Sequence, residues 1–558
     1  MSDDPQSGDG QADAGLPGGV PQDDSSDSSS SDSSSSDSSS SDSSSSTNGA
    51  ATLDPTRWAN ILMGAISTNT GLRTGNAVTY LIDGPATFAA MLTAINSTSG
   101  SGHYIYLLGW QLVDNVSLDP SSTPTGGATS NTFADLMTAA SARGVQIRAM
   151  LWKQYKGLNQ PQVDFINTLA NGAAILDNAT SDPVLGSHHQ KVLVVKGSDG
   201  LIGFCGGIDI NSDRVSWGSA TTSSGSASGS DSSGNPAAGS PDGGTAVDAS
   251  SSSGTTGAPL HDVHCQVMGP SAWDLLLTFV RRWDHHPDHS AIDSSKGDLL
   301  GRTEAVPASA STPSSTGSSC SVAIGRTFTP TTPGTTVPKE RDIAGLLLAA
   351  IANAQRFIYM EDQYLISPEA AAALNARVPN LQHLTILIAA SEISDLPCRW
   401  RYRQQFIDAV TNGLSAADAA KVRVFQLVTP PASTPPTFGA HTYVHSKTWV
   451  FDDELAVVGS ANCNRRGWQS DSEADAFIFD DAPPAAGSLT FAQLLRCDLW
   501  SEHLGIPAGN LTDGVASVSN WVTSSPSSRV LPYDPAGDTN TALCDTDTVR
   551  NAIDPPSP

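Results

Sequence analysis

The chain has 558 residues, with 29 Lys and Arg against 56 Asp and Glu, and its formal charge of −27 still stands at −17 once residues 1–50 are set aside. That balance provides no basic surface to neutralise phosphates, which argues against a nucleic-acid partner and against strongly anionic bilayers. Seven scattered Cys with no CxxC pair exclude a dense disulfide framework and a cysteine zinc site. No apolar run approaches the ~18 residues of a transmembrane helix.

Residues 1–50 repeat Asp-Ser-Ser-Ser-Ser at Asp27, Asp32, Asp37 and Asp42. Nothing there can bury a core, so a disordered tail is expected. The N-terminus shows neither a positive n-region nor an apolar h-region, so no ordinary secretory signal is expected. The compartment stays open between the cytoplasm and export by a signal-less route.

Order is expected from Leu53-Asp54-Pro55. Tyr104 to Trp110 reads as a buried strand, Phe133 to Arg143 as a helix, and Val145 to Trp152 as a strand. Residues 218–258 are almost wholly Ser, Gly, Thr, Ala, Asp and Pro, and read as a flexible insertion. A second loose stretch is expected over 303–340. Beyond it the pattern predicts a helix at 344–354, a strand at 356–360, a helix at 368–377, a strand at 384–389, a helix at 399–411 and a strand at 422–427. This alternation predicts an α/β fold of two related halves, each a mixed, largely parallel sheet flanked by helices. The expected division is a tail at 1–50, an N-terminal catalytic half at 51–330, a C-terminal catalytic half at 331–535, and a tail at 536–558.

An internal repeat carries the chemistry. One copy reads His188-His189-Gln190-Lys191-Val192-Leu193, then Gly206-Gly207 and Asn211. The other reads Val444-His445-Ser446-Lys447-Thr448-Trp449, then Gly459-Ser460-Ala461-Asn462 and Asn464. Alternate residues of a strand share a face, so His189 points with Lys191, and His445 with Lys447. Two such strands brought together across a pseudo-twofold place two imidazoles and two ammonium groups around one point. That set suits a phosphodiester: one neutral His attacks phosphorus, and the other, protonated, serves the leaving oxygen. The lysines offset charge on the phosphoryl oxygens, and the scheme calls for no metal or other cofactor.

The duplicated motif resembles the phospholipase D superfamily, whose signature is His-x-Lys-x(4)-Asp, twice. The second copy fits with His445, Lys447 and Asp452. The first has Lys196 where the Asp belongs, and runs 17 residues from His189 to Gly206 against 14 from His445 to Gly459. Asp199, in the longer loop, is a substitute to consider. Tyr359-Met360-Glu361-Asp362-Gln363-Tyr364, His261-Asp262-Val263-His264-Cys265 with Gly269-Pro270, and Arg282-Trp283-Asp284 are similar to segments of the eukaryotic-type branch.

A nucleophilic imidazole needs an acceptor on its other nitrogen, and Asp262 and Glu473 are the candidates, one per half. The resemblance implies that Asp262 pairs with His189 and Glu473 with His445. It also implies His189 as nucleophile and His445 as general acid, an order that spacing alone leaves open. Asn211, Asn462 and Asn464 are read either as phosphate binders or as turn stabilisers. His188 is expected to face away into packing. His285, His286 and His289 are read as a solvated loop and not as a metal site. Trp110, Trp152, Trp283 and Trp449 are expected mainly in the core, with room for one or two at a substrate cleft.

The implied activity is hydrolysis of the distal phosphodiester of a membrane-surface phospholipid to phosphatidic acid and alcohol through a phosphohistidine. Transfer to another alcohol is open to the same intermediate. A monomer is expected, since one chain supplies both motifs. The competing readings are a cardiolipin-synthase-type transferase, a nuclease-type phosphodiesterase, and a catalytically impaired lipid-binding relative. The last of these rests on Lys196.

Overall fold

The computed structural model describes residues 53–66, 71–153, 157–178, 186–215, 260–311, 314–329, 339–389, 399–428, 442–522, 528–533 and 554. The Asp/Ser tail, the 218–258 insertion and nearly all of the 536–558 tail lie outside them. Among the described residues, two series of strands follow one another along the chain. The first is β1 (Leu72–Ile82), β2 (Tyr104–Gly109), β3 (Gln146–Trp152), β4 (Gly172–Asp177), β5 (Val192–Gly197), β6 (Gly200–Gly206) and β7 (Val263–Met268). The second is β8 (Cys320–Phe328), β9 (Phe357–Asp362), β10 (His383–Ile388), β11 (Val422–Leu427), β12 (Thr448–Phe451), β13 (Leu455–Gly459) and β14 (Glu473–Asp480).

All of them join one sheet, in the order β11-β10-β9-β12-β13-β14-β8-β1-β7-β6-β5-β2-β3-β4. Read outward from the β8–β1 contact, the two series run in the same order. Their directions match as well. Pairing is parallel within β2-β3-β4 and within β9-β10-β11. It is antiparallel from β2 through β5, β6 and β7 to β1, and from β9 through β12, β13 and β14 to β8. The sheet is therefore mixed, as expected, but parallel pairing is confined to its outer strands. The strand–helix–strand alternation is a signal of those outer crossovers only; the short β5–β6 and β12–β13 connections make hairpins, which pair antiparallel.

The elements form for local reasons. Asp54 accepts from the Arg57 amide ahead of a helix that opens on Pro55, and Ser367 does the same for Ala370 ahead of Pro368. The expected helices and strands appear at Phe133–Ala142, Asp342–Asn353, Pro368–Arg377 and Arg399–Thr411, and in β2, β3, β9, β10 and β11. Two central strands depart from expectation. β8 lies wholly buried inside the stretch read as loose, and β1 spans residues for which the sequence predicts no element. They meet antiparallel through Leu72↔Ala323 and Asn76↔Cys320, with a bulge between Arg73 and Asn76. Asn76 fills the bulge, donating to Arg73 O at 2.7 Å and Cys320 O at 3.1 Å. The histidine stretch read as a loop is helical instead. His285 ends the helix Ala272–His285 and His289 opens His289–Lys296, while the intervening His286 is buried and contacts Leu176 O at 3.2 Å.

Both sheet faces are covered. One face carries a core shared by the two series, with Tyr106, Leu108 and Val194 joined to Val450, Val458, Leu495 and Trp500. The other face is covered by two separate helical layers, one around Phe88, Leu136 and Ile166, the other around Trp58, Leu346, Leu374 and Phe406. A core continuous across β1 and β8 fixes the two series against each other, which sets the geometry of anything built between them.

Candidate active site

Each histidine is held by the opposite series. The His189 amide donates to Ser472 O at 3.0 Å, the Ser472 amide donates back to Ser187 O at 3.0 Å, and His188 bridges Ser472 in parallel. On the other side, the short strand Tyr443–Val444 pairs in parallel with Leu260–His261, and the His445 amide donates to His261 O at 2.8 Å. The two arrangements mirror each other: a parallel step, then the histidine, set beside the residue that precedes an acid.

The acids therefore cross over. His189 Nδ1 lies 2.9 Å and 3.0 Å from the two oxygens of Glu473, and His445 Nδ1 lies 2.7 Å from Asp262 Oδ2. This corrects the pairing of Asp262 with His189 and Glu473 with His445. The reason is topological: Asp262 and Glu473 sit at the starts of β7 and β14, the strands that flank the β1–β8 seam, so each reaches the neighbouring series. Gly207 allows the Asp262 approach, because a Cβ there would lie 2.0 Å from Asp262 Oδ1. The matching position is Ser460, whose hydroxyl donates to Glu473 Oε2 at 2.5 Å.

The lysines complete a compact set. Lys191 Nζ donates to His189 O at 2.9 Å, pairs with Asp209 at 3.3 Å, and lies 5.8 Å from the Trp110 ring centre. Lys447 Nζ donates to Gln363 Oε1 at 2.9 Å and also to His445 O. Both imidazoles are nearly buried, 5% and 6% exposed. Burial holds both well below the usual histidine range. Lys191, Lys447 and Arg466 add to this at His189; Arg214, both lysines and His189 itself add to it at His445. Each ring thus feels the ammonium of the opposite series, which places both dyads in one electrostatic site. Burial lowers Lys447 to about 7 and raises Asp262 to about 6. Burial also pushes Glu473 well above the carboxylate range.

Other expected residues divide. Asp452 is not among the groups around the imidazoles. It sits at φ +59° in the β12–β13 turn and accepts from the amides of Gln355, Arg356 and Phe357 at 2.7, 2.6 and 3.0 Å. It braces that turn against the start of β9, so within the second motif its bonds are structural. In the first series, Lys196 is half-buried and pairs with Glu304 at 2.6 Å, and Asp199 is exposed and does not stand in for the missing Asp. In the facing turn Ser99 donates to His103 Nδ1 at 2.9 Å and the His103 amide to Gly100 O at 3.1 Å.

Asn464 accepts from Gly467 at 2.7 Å, a turn role, and Asn211 donates to Gln111 at 3.0 Å. Asn462 is 4% exposed, and its Oδ1 has no hydrogen-bond partner. His188 is buried between Arg282 at 3.1 Å and Asp177 at 3.4 Å, in packing as expected. Trp110, Trp152, Trp283 and Trp449 are all buried, and Trp110 stacks on Trp152 at 5.5 Å beside Lys191.

Sequence reasoning passed over Arg214, Arg466, Asp83 and His503, and took His261 and Glu361 only as members of matched segments without a role. His261 bonds Asp83 through Nδ1 at 3.0 Å and Glu361 through Nε2 at 2.9 Å, and His503 Nε2 bonds Glu361 at 2.9 Å. Among the described residues, His261, Glu361 and His503 form one group, and Asp83, His261 and Glu502 another, whose ligand atoms lie within 4.8 Å of one another. In the first group both Nε2 atoms are already hydrogen-bonded to the carboxylate. The available signals were the adjacency of His261 to Asp262 and the place of Glu361 in the Tyr359–Tyr364 segment.

A family model described as Phospholipase D matches residues 97–394, more than half of the chain, and one described as Cardiolipin synthase, PLD-like domain matches residues 347–498. Among curated proteins, Phospholipase D A of Dictyostelium discoideum is 25% identical over 424 residues, covering 67% of this chain and 31% of that protein. Phospholipase D alpha 4 of Arabidopsis thaliana is 24% identical over 489 residues, covering 72% of this chain and 62% of that protein. Phospholipase D zeta 2 of the same plant is 23% identical over 586 residues, covering 78% and 54%. The chain spans less than two thirds of each of these relatives, and among its described residues no helix is long and apolar enough to cross a membrane. With two His-x-Lys segments set in matching strand contexts of one continuous sheet, the chain belongs to the phospholipase D family, on its eukaryotic-type branch.

Proposed function

We propose that this protein cleaves the distal phosphodiester of a glycerophospholipid, releasing the headgroup alcohol and phosphatidic acid. The observation that carries the reading is the crossed pair of buried dyads, His189–Glu473 and His445–Asp262, each with a lysine alongside. Both Nδ1 atoms face a carboxylate, which fixes the tautomer and leaves Nε2 of each ring for chemistry at phosphorus.

His189 Nε2 attacks phosphorus, following the family resemblance. The P–O bond to the headgroup breaks, and protonated His445 gives its proton to the departing oxygen. The bound phosphodiester anion favours that proton by raising the His445 pKa from its depressed value. His445, now neutral, takes a proton from water; the hydroxide oxygen bonds to phosphorus and the P–N bond to His189 breaks. Lys191 and Lys447 offset charge on the non-bridging oxygens. An alcohol in place of water gives transfer, a second reading that draws support from the cardiolipin-synthase-type match over 347–498. The impaired-relative reading rests on Lys196, and the intact crossed dyads, which include the His189 of that same motif, favour an active enzyme over it. One chain supplies both dyads, so a monomer is a complete catalytic unit. The acidic balance favours zwitterionic lipid at the membrane surface.

The test is turnover of phosphatidylcholine and phosphatidylethanolamine micelles, with and without added ethanol. Wild type should release phosphatidic acid, and phosphatidylethanol when ethanol is present. His189→Ala and His445→Ala should each lower kcat by about a thousandfold or more. Cleavage of DNA or bis(p-nitrophenyl) phosphate, but of no lipid, would replace this reading with a nuclease-type one.

A further inference from the structure

The buried carboxylate of Glu361 lies behind one dyad only. Its Oε2 accepts from His261 Nε2 at 2.9 Å and from the Ser446 hydroxyl. Its Oε1 accepts from Tyr359 OH at 2.5 Å and from His503 Nε2 at 2.9 Å. All five side chains are buried. Ser446 directly follows His445, and His261 directly precedes Asp262. The same carboxylate oxygen therefore ties together the two peptides that carry the His445–Asp262 dyad, one from each strand series. Asp83 closes the other side: its Oδ1 takes His261 Nδ1 at 3.0 Å and the Asp262 amide at 3.1 Å, and its own amide donates to Asp262 O at 2.8 Å.

The first series has no counterpart. Glu361 sits opposite Thr448 in the β9–β12 pair, and the matching place in β2–β5 is Leu108 opposite Val192. An apolar residue satisfies that slot, and the shared core continues through it. A buried charge in the second series costs desolvation, and it persists here because four donors meet it. The electrostatics agree: burial acts to raise the Glu361 pKa, and the His261 cation with the hydrogen bonds from His261 and His503 nevertheless hold it well below the carboxylate range.

We propose that Glu361 is a positioning residue for the His445–Asp262 dyad: its Oε2, by clamping Ser446 and His261 together, sets the angle at which Asp262 meets His445 Nδ1. The proposal rests on the phosphodiester reading and adds a functional difference between the two halves. Proton transfer depends on that angle, whereas lipid binding does not, so kcat and KM respond differently.

The two carboxylate oxygens supply the test. Glu361→Gln and Ser446→Ala disturb the Oε2 side, and Tyr359→Phe removes a donor only from Oε1. With phosphatidylcholine micelles, the first two variants should lower kcat by about tenfold or more with KM within about twofold. Tyr359→Phe should keep kcat within about twofold. A kcat loss in Tyr359→Phe equal to that in Ser446→Ala, or unchanged kcat in folded Ser446→Ala and Glu361→Gln, would overturn the proposal. Imidazole ¹⁵N spectra of the full chain read the same geometry without turnover. The His445 Nδ1 resonance should move in Glu361→Gln and Ser446→Ala and stay in place in Tyr359→Phe. If wild type turns over no phosphodiester, the proposed function fails by itself; a His445 resonance unmoved in all three variants then rejects the clamp independently.

Discussion

At neutral pH, burial and four nearby cations keep both active-site imidazoles unprotonated until an anion arrives. The free protein then depends on titrations with opposite signs, with the His189 partner Glu473, pushed up by burial, on the acid side beside Asp262. Asp262 accepts from His445 as a carboxylate, and burial raises its pKa to about 6, so this contribution is lost as pH falls through that value. Lys447 offsets phosphoryl charge only when protonated, and burial lowers its pKa to about 7, so that contribution is lost as pH rises through it. The expected outcome is a narrow bell in kcat/KM, with its acid limb at about 6 or above and its alkaline limb falling through about 7. A profile flat between about pH 5 and about 9 would contradict it. The histidines and lysines themselves were legible, because His-x-Lys recurs with a glycine turn behind it. Their carboxylate partners were legible as residues but not as pairs, since spacing along a chain carries no information about which half an acid faces.

Turns and strands explain why motif residues differ in purpose. Asp452 binds three amides of the β9 entry, far from the chemistry in role though only five residues from Lys447. Asp452→Ala should lower the unfolding free energy by about 2–4 kcal/mol while kcat per folded molecule stays within about twofold, as read by urea unfolding and active-site-normalised kinetics. Gly207→Ala should do the opposite. Its new methyl would meet Asp262 Oδ1 at 2.0 Å, so the carboxylate must leave its bond to His445 and turnover falls by about a hundredfold. The outer strands were readable because runs such as Tyr104–Gly109 are continuously apolar. The central β1 and β8 were not. β1 opens on Leu72-Arg73-Thr74-Gly75-Asn76 and is bulged, and β8 carries Ser321, Arg326 and Thr327 inside a Ser/Thr/Pro-rich surround. Their polar groups are satisfied by tertiary partners that no local pattern displays, as when Arg326 donates to Thr278 at 2.7 Å and to Asp274 O at 3.0 Å.

Among the described residues one large sheet holds both strand series, and they exchange acids across a shared core. Each half lends the carboxylate that the other half's imidazole needs, so neither dyad belongs to one series. This exchange has a spectroscopic consequence. Glu473→Gln should move the Nδ1 resonance of His189 and leave that of His445, and Asp262→Asn should do the reverse; same-half responses would contradict the crossed arrangement. The duplication itself was legible in the sequence, as were most helices. The seam that converts two repeats into one site was not, because it is formed by the two strands with the weakest patterns.

The most direct test is mass spectrometry of the acid-sensitive adduct trapped when phosphatidylcholine meets Asp262→Asn protein under rapid quench. The account predicts a phosphatidyl group on the peptide containing His189 and none on the peptide containing His445. An adduct on His445, or turnover with no adduct on either peptide, would contradict it.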